Sequence, residues 1–240
     1  MEQLRIPDKY KKILKKFIQS LKNIYPEELL SLILYGSAVS GEFMNKRSNL
    51  NLLIVLKNTE LENLGKSSKL IRKFKMINAL FLTKDYITNS LDIFPIEFLD
   101  MQENYFVIYG DDVLKDINID IRNLRFQCEQ ELKVKLLKLK QAYLMINNDT
   151  FELSNLLFRS FTSVLHISRN ILRLKGKKPP YLKRDILKEL GVEFKIDAAV
   201  WGKILAAKDK NAKLNSKETQ QLFIGFVKEL ELLVDIVDKL

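Results

Sequence analysis

Two short apolar runs joined by a Gly-Ser turn constrain this chain more than any other feature. Leu32-Ile33-Leu34-Tyr35 is followed at once by Gly36-Ser37. After an eleven-residue spacer, Asn49-Leu50-Asn51 opens the run Leu52-Leu53-Ile54-Val55-Leu56. Apolar runs of this length, bounded by turn residues, read as buried strands rather than helices. The spacer holds a short helical segment after Ser37 and then a basic loop containing Lys46 and Arg47. Alternation along a strand puts the side chains of Asn49 and Asn51 on one face of the second strand. Gly36 lets the backbone turn sharply and lets another group approach it closely.

The remaining pattern extends this start into a sheet with helical cover. Tyr10, Ile13, Leu14, Phe17, Ile18, Leu21 and Ile24 recur at helical spacing over residues 8–24. Pro26-Glu27-Glu28 suits the first turn of a short helix. A helix is expected from Glu60 to Met76, weakened in its middle by Gly65 and paired serines. Ala79 to Thr83 reads as a buried strand, Lys84 to Ile87 as a helix start, Phe94 to Asp100 as another strand and Tyr105 to Gly110 as a further one. In the strand expected at Phe94–Asp100, Phe94, Ile96 and Phe98 share one face and Glu97 takes the other.

From residue 121 no strand is evident. Leu132, Leu136, Leu139, Tyr143 and Ile146 mark a long helix broken by Asn147-Asn148-Asp149. A second follows from Phe151 to Leu174, then shorter ones at 182–190 and 198–207 and a last one from about Ser216, with Gly176 to Pro180 as a firm loop. Such amphipathic helices need one another to bury their apolar stripes. The expected fold class is therefore α+β: a mixed β-sheet with flanking helices at 1–118, followed by an all-α helical bundle at 119–240. His166 and Trp201 read as bundle residues, and Cys128 has no histidine or second cysteine beside it in sequence.

The turn, the spacer and the two strands resemble the signature of the nucleotidyltransferase (DNA polymerase β-like) superfamily, and the bundle resembles in outline that of aminoglycoside nucleotidyltransferases. The resemblance implies a mixed sheet and a cleft in which Gly36 and Ser37 hold the phosphates of a nucleoside triphosphate. It also implies two strand carboxylates that bind a pair of Mg²⁺ ions for in-line transfer to a hydroxyl. Those two metal positions are here Asn49 and Asn51. An amide carries no charge, so Mg²⁺ binding is expected to be weakened and catalysis impaired. A third carboxylate, on a neighbouring strand in that family, finds its best match in Glu97, with Asp100 and Asp92 as second choices. Lys46 and Arg47, retained beside the asparagines, make the cleft attractive to bare phosphate.

Composition narrows the partners. Of 240 residues 47% are apolar, enough for a sizeable core. No apolar run approaches the roughly 20 residues that span a bilayer, so no membrane partner is expected. A single cysteine allows no internal disulfide, and the first residues lack a signal-peptide pattern. A cytoplasmic protein is the expectation. The net charge of +10 favours anionic partners. The excess is spread over helix faces such as Lys11-Lys12, Lys15-Lys16 and Lys133 to Lys140, which leaves nucleic acid open as a partner without pointing to it. Three functional readings follow: a degenerate nucleotidyltransferase that binds a nucleotide or another phosphate ligand, an active Mg²⁺-dependent transferase moving a nucleoside monophosphate to a hydroxyl of a small molecule or protein, and an interaction scaffold without ligand.

Overall fold

Antiparallel pairing of the two apolar runs is the centre of the first unit. In the computed structural model, which describes residues 4, 6–41, 43, 49–146, 149–210 and 212–240, β1 spans Leu29–Tyr35 and β2 spans Leu50–Leu56. Ile33 lies opposite Leu53 and Tyr35 opposite Asn51. β3 (Ile77–Leu82) runs parallel to β2, and β4 (Tyr105–Gly110) runs antiparallel to β1, giving the order β3-β2-β1-β4.

Period-two alternation splits these strands between two apolar layers. Leu32, Leu34, Leu50, Leu52 and Ile54 join one core with Leu14, Phe17 and Leu21 of α1 (Asp8–Ile24). Ile33, Leu53 and Val55 join another with Ile87, Phe98 and Met101. Those last three come from α5 (Lys84–Asn89) and α6 (Pro95–Glu103). The sheet is thus a filled layer with helices on both faces, the mixed sheet that the sequence pattern implies.

Three local expectations need correction. Phe94–Asp100 is not a strand, and Glu97 is therefore not a strand residue. Phe94 caps α6, Pro95 occupies its first turn, and Pro95, Ile96, Phe98 and Met101 are buried. The alternating Phe94, Ile96 and Phe98 imitate a strand, but proline is at home in the first turn of a helix and out of place in a sheet interior. Pro26 to Glu28 form a turn rather than a helix. The helix expected over 60–76 is two, α3 (Leu61–Gly65) and α4 (Ser68–Lys73), parted where the Ser67 hydroxyl donates to the Leu64 carbonyl at 2.9 Å. The short helical segment after the Gly-Ser turn is α2 (Ser37–Ser40).

Residues 1–119 and 120–240 form separate compact units. The described residues of the second form α7 (Ile121–Met145), α8 (Thr150–Leu174), α9 (Lys183–Phe194), α10 (Ala198–Asp209) and α11 (Ser216–Asp238). Polar side chains fix several of their starts. Asp149 accepts from the N–H groups of Phe151 and Glu152, and Asn215 and Glu218 form a reciprocal capping box. Asn147 and Asn148 lie outside the described residues. No described helix is long and apolar enough to cross a membrane.

Aromatic packing holds the bundle core. The ring of Trp201, fully buried, lies 5.8 Å from those of Phe161 and Phe226, which are 6.1 Å apart. Trp201→Ala is expected to cost about 3–5 kcal/mol through the cavity left behind, read as a lowered denaturant midpoint. Cys128 is buried, and His166, the single histidine, sits on the exposed side of α8.

Candidate functional site

The site begins at a backbone conformation that L side chains avoid. Gly36 has φ 76° and ψ −145°, and only glycine adopts this without strain. Its N–H donates to the Asn104 carbonyl at 2.9 Å, which fastens the end of β1 to the residue before β4. Its carbonyl accepts from the N–H groups of Val39 and Ser40, and so opens α2. A side chain at Gly36 would press on its neighbour: an added Cβ would lie 3.2 Å from the Asn51 Nδ2. The bare α-carbon leaves room for the Asn51 amide beside the turn.

Strand register then builds a row across the sheet. Asn51 pairs with Asn78 on β3 and with Tyr35 on β1, and Tyr35 pairs with Tyr105 on β4. Paired residues of adjacent strands share a face, so Asn78, Asn51, Tyr35 and Tyr105 line up on one side of the sheet. The Asn78 Nδ2 donates to the Asn51 Oδ1 at 3.3 Å. The Tyr105 hydroxyl donates to the Asp112 Oδ2 at 3.0 Å. Burial pushes the Tyr35 phenol above its ordinary range, and burial together with Asp112 does the same for Tyr105. Both phenols are therefore neutral near pH 7. The row consists of two amides and two phenols, all of them uncharged.

The expected site residues divide accordingly. Gly36, Ser37 and Asn51 come together at one end of β1. Asn49 stands two residues ahead of Asn51, just before β2, and is exposed. Lys46 and Arg47 lie outside the described residues. Glu97 sits exposed in the first turn of α6, where its charge complements the helix N-terminus. Asp100 lies further along α6, and Asp92 precedes it.

The sequence does not single out Asn78, because the apolar run it precedes begins at Ala79. Leu50 donates to the Met76 carbonyl at 2.9 Å and pairs with Ile77, so β3 starts two residues earlier. The available signal was a polar residue entering an apolar run, as at Asn51. The resemblance puts a third carboxylate on a strand beside the metal pair. The residue facing Asn51 across β3 is Asn78.

This donor set does not fit Mg²⁺, which is held through anionic oxygens. Among the described residues no cluster of three or more His, Cys, Asp or Glu side chains is placed to hold a metal ion. What the arrangement supplies is neutral hydrogen bonding: the amide of Asn51 on the row, and main-chain N–H groups at the start of α2, where the first turn of a helix leaves them without intrahelical partners.

No protein-family model matches the chain. No curated protein sequence matches it either. In three dimensions it is similar to the crystal structure of spectinomycin adenyltransferase AAD(9) from Enterococcus faecialis, determined with ATP and spectinomycin. The TM-score is 0.56 at 15% identity, over 93% of this chain and 97% of that one. The fold of the chain is thus that of a nucleotidyltransferase in the outline of the aminoglycoside-modifying enzymes: a mixed sheet with flanking helices, followed by a helical bundle.

Proposed function

We propose that this protein is a catalytically impaired member of the nucleotidyltransferase fold that binds a nucleotide, or another phosphate ligand, at the Gly36–Ser37 turn without needing a metal ion. The observation that carries this reading is the Asn51 side chain. It lies against Gly36 on one side and bonds to Asn78 on the other, and two-metal transfer chemistry would need anions at the positions that the resemblance assigns to Asn49 and Asn51. Gly36 keeps the backbone shape that lets a phosphate approach the turn. The amide and main-chain N–H groups are donors that suit phosphate oxygens. That the structurally similar adenyltransferase was crystallised with ATP supports a nucleotide as the ligand.

Isothermal titration with ATP, GTP, CTP and UTP, in Mg²⁺ and in EDTA, tests this reading. The expected result is binding of at least one nucleotide with an affinity that EDTA leaves unchanged. A strict requirement for Mg²⁺ would overturn it.

The likeness to an adenyltransferase favours a second reading, in which transfer persists with Glu97 or another carboxylate supplying the missing charge. It predicts Mg²⁺-dependent release of pyrophosphate from an NTP in the presence of an acceptor hydroxyl, and loss of that release in Glu97→Gln.

A further inference from the structure

Helices α9 and α10 touch at one end and stand apart at the other. A Cβ added at Gly191 of α9 would lie 3.3 Å from the Ala198 Cβ of α10, so the two helices meet closely there. Gly202 lies about one turn further along α10 and is half-buried, yet an added Cβ would meet nothing within 4 Å. The space between them is a cavity of about 440 Å³, walled on α10 by Ala198, Gly202, Leu205 and Ala206 and on α9 by Leu187. A cavity of this size with mainly apolar walls suits a small molecule, which a few polar groups then orient.

The polar groups here are two cations, Arg184 and Lys188. They stand four residues apart on α9, and like charges at that spacing repel. Neither has an ion-pair partner among the described residues. The acidic residues of α9 do not neutralise them. Asp185 and Glu189 lie outside the lining, and Glu193 is paired with Lys177 at 3.1 Å. Further positive charge flanks the Arg184 end from both helices. Burial, and then the charge of Lys183, hold the Lys208 ammonium of α10 below its ordinary range, with Asp209 opposing. An anion set between Arg184 and Lys188 relieves their repulsion, and a guanidinium offers a carboxylate or phosphate paired N–H donors. An inorganic ion would leave the apolar walls wet, whereas an organic anion uses walls and charges together.

We propose that the α9–α10 cavity binds a small organic anion, with its apolar body against Leu187, Gly202 and Leu205 and its acidic group held by Arg184 and Lys188. The site lies wholly within the helical bundle, and the proposal is independent of the nucleotide reading.

The probe is 8-anilinonaphthalene-1-sulfonate, which fluoresces when shielded from water, and its control is N-phenyl-1-naphthylamine, the same ring system without the sulfonate. Titrated against the full chain, the sulfonate is expected to bind saturably and more weakly as salt is raised. The neutral amine is expected to bind at least about tenfold more weakly, as is the sulfonate to Arg184→Gln with Lys188→Gln. Gly202→Leu, which fills the cavity, is expected to reduce binding of the sulfonate by a similar factor, and Ala206→Leu, at an exposed position of the same wall, repeats the filling. Circular dichroism and guanidinium unfolding check that each variant keeps the parent's fold. Equal binding of the two dyes overturns the proposal, as does a chain that binds neither. So does a loss confined to the charge variant or to the filling variants, since the site requires both its cations and its cavity.

Discussion

Replacing Asn49, Asn51 and Asn78 together by aspartate is expected to turn the amide row into a divalent-cation site. Each new carboxylate near a dication contributes on the order of several kcal/mol of Coulomb attraction before desolvation. Mn²⁺ affinity, measured by calorimetry without nucleotide, should rise by at least about a hundredfold over the parent. In EDTA the crowded carboxylates repel one another, so the variant should melt below the parent and recover when Mn²⁺ is added. The comparison that isolates Asn78 is the triple variant against Asn49→Asp with Asn51→Asp. A further gain in affinity is expected, because Asn78 already bonds to Asn51 across the strand pair. A triple variant that bound Mn²⁺ no better than the parent would show that these three positions do not share one ligand.

A comparably large loss is expected from Gly110→Ala, far from that chemistry. Gly110 ends β4 with φ 73°, and an added Cβ would fall 1.9 Å from the Leu30 carbonyl oxygen. The obstacle is backbone, and backbone here is held fast. The Asp111 N–H donates to that same Leu30 carbonyl at 3.3 Å, and the Ser31 hydroxyl donates to the Asp111 carbonyl at 2.6 Å. The substitution must part β1 from β4 at this end, at a cost of about 3–5 kcal/mol when strain and lost bonds combine. Gly65→Ala is the matched control. It lies in α3 with nothing within 4 Å of an added Cβ, and it should change stability by no more than about 1 kcal/mol, in the favourable direction. Guanidinium unfolding followed by far-ultraviolet circular dichroism reads both. Equal midpoints for the two variants would refute the obstruction at Leu30.

Much of this architecture is legible in the sequence because its decisive signals are local. Unbroken apolar runs at Leu32 to Tyr35 and Leu52 to Leu56 give the strands, and four-three spacing gives α1, α7 and α11. Gly36 identifies the turn because the chain there needs a backbone that only glycine provides. Glu97 went astray for an equally local reason. Phe94, Ile96 and Phe98 satisfy both a strand period and the inner side of a short helix, and Pro95 decided between them. Asn78 was hidden for the opposite reason, since its importance lies in register. Nothing within β3 says that Asn78 faces Asn51. That follows from the pairing of Leu50 with Ile77, a contact between residues far apart in the chain.

The room at Gly36 accepts an amide or a carboxylate at residue 51 alike. The bare α-carbon lies beside the Asn51 amide, which has almost the same shape as a carboxylate. Asparagine and aspartate codons differ by a single base. An anionic row therefore needs only point changes at Asn49, Asn51 and Asn78, with no rebuilding of the turn. The turn is thus compatible with an anionic row as well as with a neutral one.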